Sequence, residues 1–163
     1  MLDNLYRELI LDHYRRPRGA DPIPRPDRQA EGQNPLCGDE CAVKLRLEGD
    51  RIAKVEVRAR GCSISVASAS MMAQETEGRT RAEAAALDGA VRGLLQGKGR
   101  VDGVDYGDLE ALEGVAQFPV RVKCALLPWA TLREALDRPA GKAADQGRGT
   151  ATTEEPARGG GAR

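Results

Sequence analysis

The sequence predicts an α+β fold, with a small antiparallel β element packed by helices on one face and a metal site at one end of it. Three observations carry this: a run of two-residue hydrophobic alternation in mid-chain, helical periodicity on both sides of it, and a thiol-rich loop just before it. The alternation covers 41–47, where Cys41, Val43, Leu45 and Leu47 are apolar while Lys44, Arg46 and Glu48 are charged. After a turn at Glu48-Gly49-Asp50-Arg51, Val55, Val57 and Ala59 face one way and Lys54, Glu56, Arg58 and Arg60 the other. The two runs form a hairpin with one solvated face, which leaves the apolar face for helices.

The thiol loop is Asn34-Pro35-Leu36-Cys37-Gly38-Asp39-Glu40-Cys41. Pro35 stiffens its approach, and Gly38 lets the backbone turn so that Cys37 and Asp39 can point at one centre. Cys62 follows the second strand, and in an antiparallel hairpin it lies at the same end as Cys37. Cys124 stands ahead of the last helical segment. Cys37, Asp39, Cys62 and Cys124 would together supply three sulfurs and one oxygen, a set that suits tetrahedral zinc and would equally hold iron and sulfide. Cys41 reads as a buried strand residue on the apolar face.

The helices follow from spacing. Leu2, Leu5, Tyr6, Leu9, Ile10 and His13 form one stripe with Asp3 as its cap, ending near Arg16-Pro17. His13, the only histidine, reads as a packing or hydrogen-bonding residue and not as a ligand. Pro22, Pro24 and Pro26 keep the following linker extended and exposed up to the thiol loop. Residues 63–77 are dense in Ala and Ser, with Ile64, Val66, Met71 and Met72 as the larger apolar groups, and read as a close-packing helix. A start at Cys62 or Ser63 would favour the thiolate of Cys62. Thr80-Arg81-Ala82-Glu83 fits a capping box for a helix through Leu87, Val91 and Leu94. Residues 97–114 read as an inserted loop with a short helix around 109–112. The last helix carries Leu126, Leu127, Trp129, Leu132 and Leu136, and a start near Cys124 would place Pro128 harmlessly in its first turn. Arg121 and Lys123 read as solvated charges, with attraction of an anionic persulfide as the lesser alternative.

Of 163 residues, 1–137 are expected to form one domain and 138–163 a disordered tail without large apolar anchors. Lys plus Arg and Asp plus Glu each number 25, so nothing in the charge balance asks for nucleic acid or an anionic membrane. The start lacks the basic and apolar regions of a leader, and no stretch approaches the length of a membrane span. A cytoplasmic protein is expected, in which four cysteines are metal-binding or reactive and not a disulfide framework.

Four stretches carry a resemblance to a known family. They are Leu5-Tyr6-Arg7-Glu8-Leu9-Ile10-Leu11-Asp12-His13-Tyr14, Asn34-Pro35-Leu36-Cys37-Gly38-Asp39, Gly61-Cys62-Ser63-Ile64-Ser65 and Val122-Lys123-Cys124. Together they resemble the IscU/NifU N-terminal family of iron-sulfur cluster assembly proteins. The resemblance implies a third strand before Asn34 and makes Cys37, Asp39, Cys62 and Cys124 the metal and sulfur ligands. Lys123 stands where IscU-like scaffolds have His, and Gln117-Phe118-Pro119-Val120-Arg121 replaces their chaperone-read Leu-Pro-Pro-Val-Lys. With the insertion at 97–114, these departures match the SufU branch. What that branch implies is a zinc-dependent sulfurtransferase that accepts persulfide sulfur from a SufS-type cysteine desulfurase and passes it to an assembly scaffold. Cys37 is the expected acceptor, on the more mobile loop, with Cys124 the alternative. The competing readings are a scaffold for [2Fe-2S] assembly with iron in place of zinc, and a protein whose zinc only holds the fold.

Overall fold

The computed structural model describes residues 2–138 and 149–152. In chain order the elements are α1 (Leu2–Arg15), β1 (Arg28–Asn34), β2 (Asp39–Glu48), β3 (Arg51–Arg60), α2 (Ser63–Thr76), α3 (Arg81–Leu95), a 3-10 helix η1 (Gly107–Gln117), α4 (Pro119–Asp137) and β4 (Gly149–Thr152). The sheet order is β3-β2-β1-β4, with β1, β2 and β3 antiparallel and β4 parallel to β1. Helices α2 and α4 pack on the face that carries Cys41, Val43 and Leu45, as the alternation predicts.

The hairpin forms in the expected register, with Cys41 opposite Ala59, Val43 opposite Val57 and Leu45 opposite Val55. A register shift at Arg46/Leu47 brings Ile52 to Leu47, so Ile52 and Val55 both face the core although three positions apart. Glu56 departs from its solvated assignment. It is buried, and its carboxylate accepts the Ile23 N–H at 2.8 Å and the Arg58 Nε–H at 2.9 Å. The reason is that the proline-rich linker crosses the outer face of the sheet. Gly19 accepts the Val57 N–H, Ile23 is buried, and Asp27 donates its N–H to Leu45 and accepts that of Leu47. The linker is therefore anchored to the sheet at Gly19, Ile23 and Asp27, while Asp21, Pro22, Pro24 and Arg25 are exposed as expected.

Its last part is the third strand that the residues alone did not suggest. The inward residues of β1 are Arg28, Ala30, Gly32 and Asn34, which are small or polar because α4 lies close across them. Arg28 turns its guanidinium to the C-terminal end of α4, donating to Leu136 O at 2.9 Å and to Arg138 O. Residues 149–152 fall within the tail expected to be disordered, yet they form β4 on the open edge of β1. The rest of that tail, 139–148 and 153–163, lies outside the described residues.

Two helix ends also differ from expectation. Pro119 opens α4 at its first position, five residues before Cys124, so Pro128 lies inside the helix. It removes one N–H from the ladder. One residue beyond the carbonyl so freed, Ser68 Oγ of α2 donates to Ala125 O at 2.7 Å, tying α2 to α4. The segment at 97–114 is less loop-like than its glycines suggest, since η1 runs on to Gln117 and buries Leu109, Ala111, Leu112 and Val115. Met71 and Met72 are core residues, as expected.

The capping box of α3 is present, with Glu83 N–H donating to Thr80 Oγ1 and Thr80 N–H to the Glu83 carboxylate. Thr80→Ala is expected to cost about 1 kcal/mol. Chemical denaturation would read this as a lower midpoint with an unchanged slope.

His13 is fully buried between Ser70 Oγ at 2.7 Å from Nδ1 and Asp108 Oδ2 at 2.8 Å from Nε2, which joins α1, α2 and η1. This is the hydrogen-bonding role expected of it. Burial pushes the Asp108 carboxyl up, but hydrogen bonds from His13 and Gln74 outweigh it and hold the group below its usual range. Its contribution to stability is thus present above about pH 4 and lost as pH falls through the folded value. Asp108→Asn should flatten that acid limb in a series of denaturation midpoints against pH.

Candidate metal centre

Three pieces of chain meet at one end of the sheet: the β1–β2 loop, the β3–α2 junction and the first turns of α4. The loop is shaped by Asn34, whose backbone oxygen accepts the N–H groups of Cys37 at 3.2 Å and Gly38 at 2.8 Å. Its side-chain oxygen accepts from Leu36 N–H at 3.3 Å. Gly38 takes φ +76°, the left-handed turn for which a glycine is needed. The result is an exposed Cys37 at the loop tip and a buried Asp39 at its base.

Cys62 is the N-cap of α2, extended at φ −72° and ψ 165°, and its N–H donates to Asp39 Oδ1 at 3.0 Å. Its Sγ lies 4.0 Å from Asp39 Oδ2. Gly61 makes this approach possible, because a Cβ there would stand 2.0 Å from Asp39 Oδ1. Cys124 comes from α4, fully buried, with its Sγ 3.6 Å from Cys37 Sγ and 3.7 Å from Val120 O. The Ser68–Ala125 bond between α2 and α4 holds the elements that carry Cys62 and Cys124 in fixed relation.

Ligand atoms of Cys37, Asp39 and Cys124 lie within 4.8 Å of one another. Thiolates about 2.3 Å from a tetrahedral ion stand about 3.8 Å apart, so the Cys37–Cys124 separation already suits one. Cys62 is outside that closest group but touches it through Asp39. Burial raises the Cys124 thiol well above the ordinary range, and the neighbouring Asp39, Cys62 and Cys37 raise it further. A cation among them reverses that penalty. Cys41 takes no part: it is buried in the core, and burial pushes its thiol up to about 12.

Arg121 is exposed, as expected of a solvated charge, yet it also bears on the thiols, the lesser of its two readings from sequence. The Cys62 charge, and then hydrogen bonding toward Cys62 and Cys124, raise the pKa of its guanidinium. A helix starting near Cys124 hides this relation. With α4 beginning at Pro119, Arg121 precedes Cys124 by one helical turn.

The model of the NifU-like N-terminal domain family matches residues 5–125. The chain belongs to that family. Within it, the chain is 39% identical over 140 residues to the zinc-dependent sulfurtransferase SufU of Bacillus subtilis (strain 168), covering 86% of this chain and 95% of the relative. It is 34% identical over 139 residues to the iron-sulfur cluster assembly scaffold protein IscU of Streptococcus pyogenes serotype M1, covering 85% and 87%. Among solved structures, it is similar to a protein from Fervidobacterium islandicum AW-1 described as an iron-sulfur cluster assembly scaffold for the SUF system. That similarity has a TM-score of 0.75 at 34% identity and covers 80% of this chain and 95% of the other. The NifU-like architecture accords with the expected α+β fold, and no helix among the described residues is long and apolar enough to cross a membrane.

Proposed function

We propose that this NifU-like protein is a zinc-dependent sulfurtransferase that accepts persulfide sulfur from a SufS-type cysteine desulfurase and passes it to an iron-sulfur assembly scaffold. Cys37, Asp39, Cys62 and Cys124 hold the zinc. One observation carries the reading: Cys37 is exposed, Cys62 is half-buried, and Asp39 and Cys124 are buried, so Cys37 is the most accessible thiol of the set. The SufU relative of Bacillus subtilis supports the same assignment. Zinc, when bound, keeps thiols deprotonated at neutral pH and brings no redox chemistry of its own.

The chain supplies the remainder. The Pro35–Gly38 turn lets Cys37 leave the cluster without disturbing β1 or β2. Its thiolate attacks the terminal sulfur of the donor persulfide, forming a new S–S bond as the donor's S–S bond breaks. The donor cysteine leaves as a thiolate, and the proton stays on the transferred sulfur. No electrons are gained or lost overall. Asp39 stays fixed by the Cys62 N–H, and Arg121 supplies positive charge beside the thiols.

A second reading, a scaffold on which a [2Fe-2S] cluster is assembled, is favoured by the name of the Streptococcus pyogenes relative and by a donor set that also suits iron and sulfide. Lys123, in place of a further imidazole ligand, weighs against it. Native mass spectrometry after anaerobic incubation with desulfurase, cysteine, ferrous iron and reductant separates the two. Retained zinc with sulfur added to Cys37 is the expected result. Loss of zinc with a gain of two irons and two sulfides would make the protein a scaffold.

A further inference from the structure

Asn34 closes β1, is fully buried, and stands directly opposite Asp39 in the β1–β2 register. Directly opposed residues project from the same face of a sheet, here the face covered by α4, the helix that carries Cys124. Asp39 in turn has a carboxylate oxygen within 4.8 Å of Cys124 Sγ. The Asn34 side chain therefore borders the Asp39–Cys124 pair from the interior.

Half of that side chain has a task in the loop. Its Oδ1 accepts the Leu36 N–H at 3.3 Å, the Asx turn that leads into Cys37. The other half has none, because Nδ2 is buried without a hydrogen-bond partner. A buried amide donor left unpaired is costly, and a planar amide whose oxygen faces the loop turns its nitrogen away from Leu36. Across from it, Cys124 needs what Nδ2 offers. Its sulfur contacts Cys37 Sγ and Val120 O, neither of which gives a thiolate an N–H, while Arg121 serves it from the exposed side. Asp39 already has the Cys62 N–H on Oδ1.

We propose that Asn34 is a positioning residue for Cys124, with its Nδ2–H donating to the Cys124 sulfur when that thiol has released its proton to solvent on binding a metal ion. This rests on the reading of Cys124 as a zinc ligand, but its test reads the metal–sulfur bond and not sulfur transfer. An N–H···S bond draws charge from the sulfur, which orients the ligand and lowers its nucleophilicity. Cys124 is thereby kept on the metal. Cys37 has only its backbone N–H taken up by Asn34 O, so its sulfur stays the more reactive of the two. One asparagine sorts the thiol that stays from the thiol that attacks.

The test uses the full chain loaded with cobalt(II), whose thiolate-to-metal absorption reports the charge on sulfur. Asn34→Ser keeps an acceptor for the Leu36 N–H in a serine turn and removes the Nδ2 donor. It should move the absorption to longer wavelength and weaken cobalt binding about tenfold in competition with a chelator. Weaker binding with an unmoved band would mean that only the loop had changed, and would overturn the role of Nδ2; so would an unchanged band and affinity. A second measurement needs no variant. In the unaltered chain loaded with spin-active cadmium, one Asn34 side-chain proton should show a splitting transmitted from the metal through N–H···S, and its absence would overturn the proposal. If the unaltered cobalt chain shows no thiolate absorption at all, the metal centre itself falls, and Asn34 with it.

Discussion

Cys37→Ser is expected to lower sulfur acceptance by more than about 100-fold while leaving the fold intact, because it removes the attacking sulfur together with one thiolate of the proposed metal centre. A serine hydroxyl is not ionised at neutral pH and does not form the S–S bond on which transfer depends. Cys37 is exposed on a loop whose shape comes from Asn34 and the left-handed Gly38, so beyond its 3.6 Å contact with Cys124 Sγ the exchange leaves the core packing in place. Cys124→Ser is less informative. That residue is buried beside Cys37 and Asp39, and its loss would disturb the cluster and the packing of α4 together. The measurement is the sulfur bound per chain after incubation with desulfurase and cysteine, beside a thermal denaturation curve. Full-rate acceptance by Cys37→Ser, with the added sulfur on Cys124, would transfer the acceptor role to the helix.

The β2–β3 hairpin was legible in the sequence because its two faces differ in chemistry. Cys41, Val43, Leu45 and Leu47 fall on one face while Lys44, Arg46 and Glu48 fall on the other, and the register follows. β1 was not, because its inward positions hold Arg28, Ala30, Gly32 and Asn34, a pattern set by the closeness of α4 and not by strand propensity. η1 was legible only in part, since the glycines that open its segment draw attention from the buried Leu109, Leu112 and Val115.

The candidate ligands were legible because loop, strand end and helix each contribute a residue whose type stands out locally. The positive charge beside them was legible only as the lesser reading of Arg121 and Lys123. Arg121 is an ordinary surface arginine by type, and only the early start of α4 at Pro119 brings it to the thiols. Glu56 shows the opposite error: its place on the polar face of the hairpin is right, but the linker that covers that face has no hydrophobic signature beyond Ile23.

Gly61→Ala is expected to weaken zinc binding by about 10- to 100-fold, the range seen when groups that orient ligands are lost. Gly61 adopts φ +138°, which L side chains rarely take, and an added Cβ would stand 2.0 Å from Asp39 Oδ1 and 2.9 Å from Asp39 Cα. Rotating the carboxylate relieves only the first clash. The backbone contact obliges the end of β2 or the β3–α2 junction to move, breaking the 3.0 Å bond from Cys62 N–H to Asp39. Cys62 and Asp39 would then separate from each other and from Cys124. A stability loss of about 1–3 kcal/mol should accompany this, from backbone strain alone. Gly49→Ala is the control, with φ +61° and open space around the missing Cβ, in the turn at the opposite end of the same hairpin. It should lower the denaturation midpoint while leaving zinc affinity unchanged in competition with a chromophoric chelator. If Gly61→Ala also kept the unaltered affinity, the carboxylate of Asp39 would not be a ligand, and the centre would have to be built from its thiols alone.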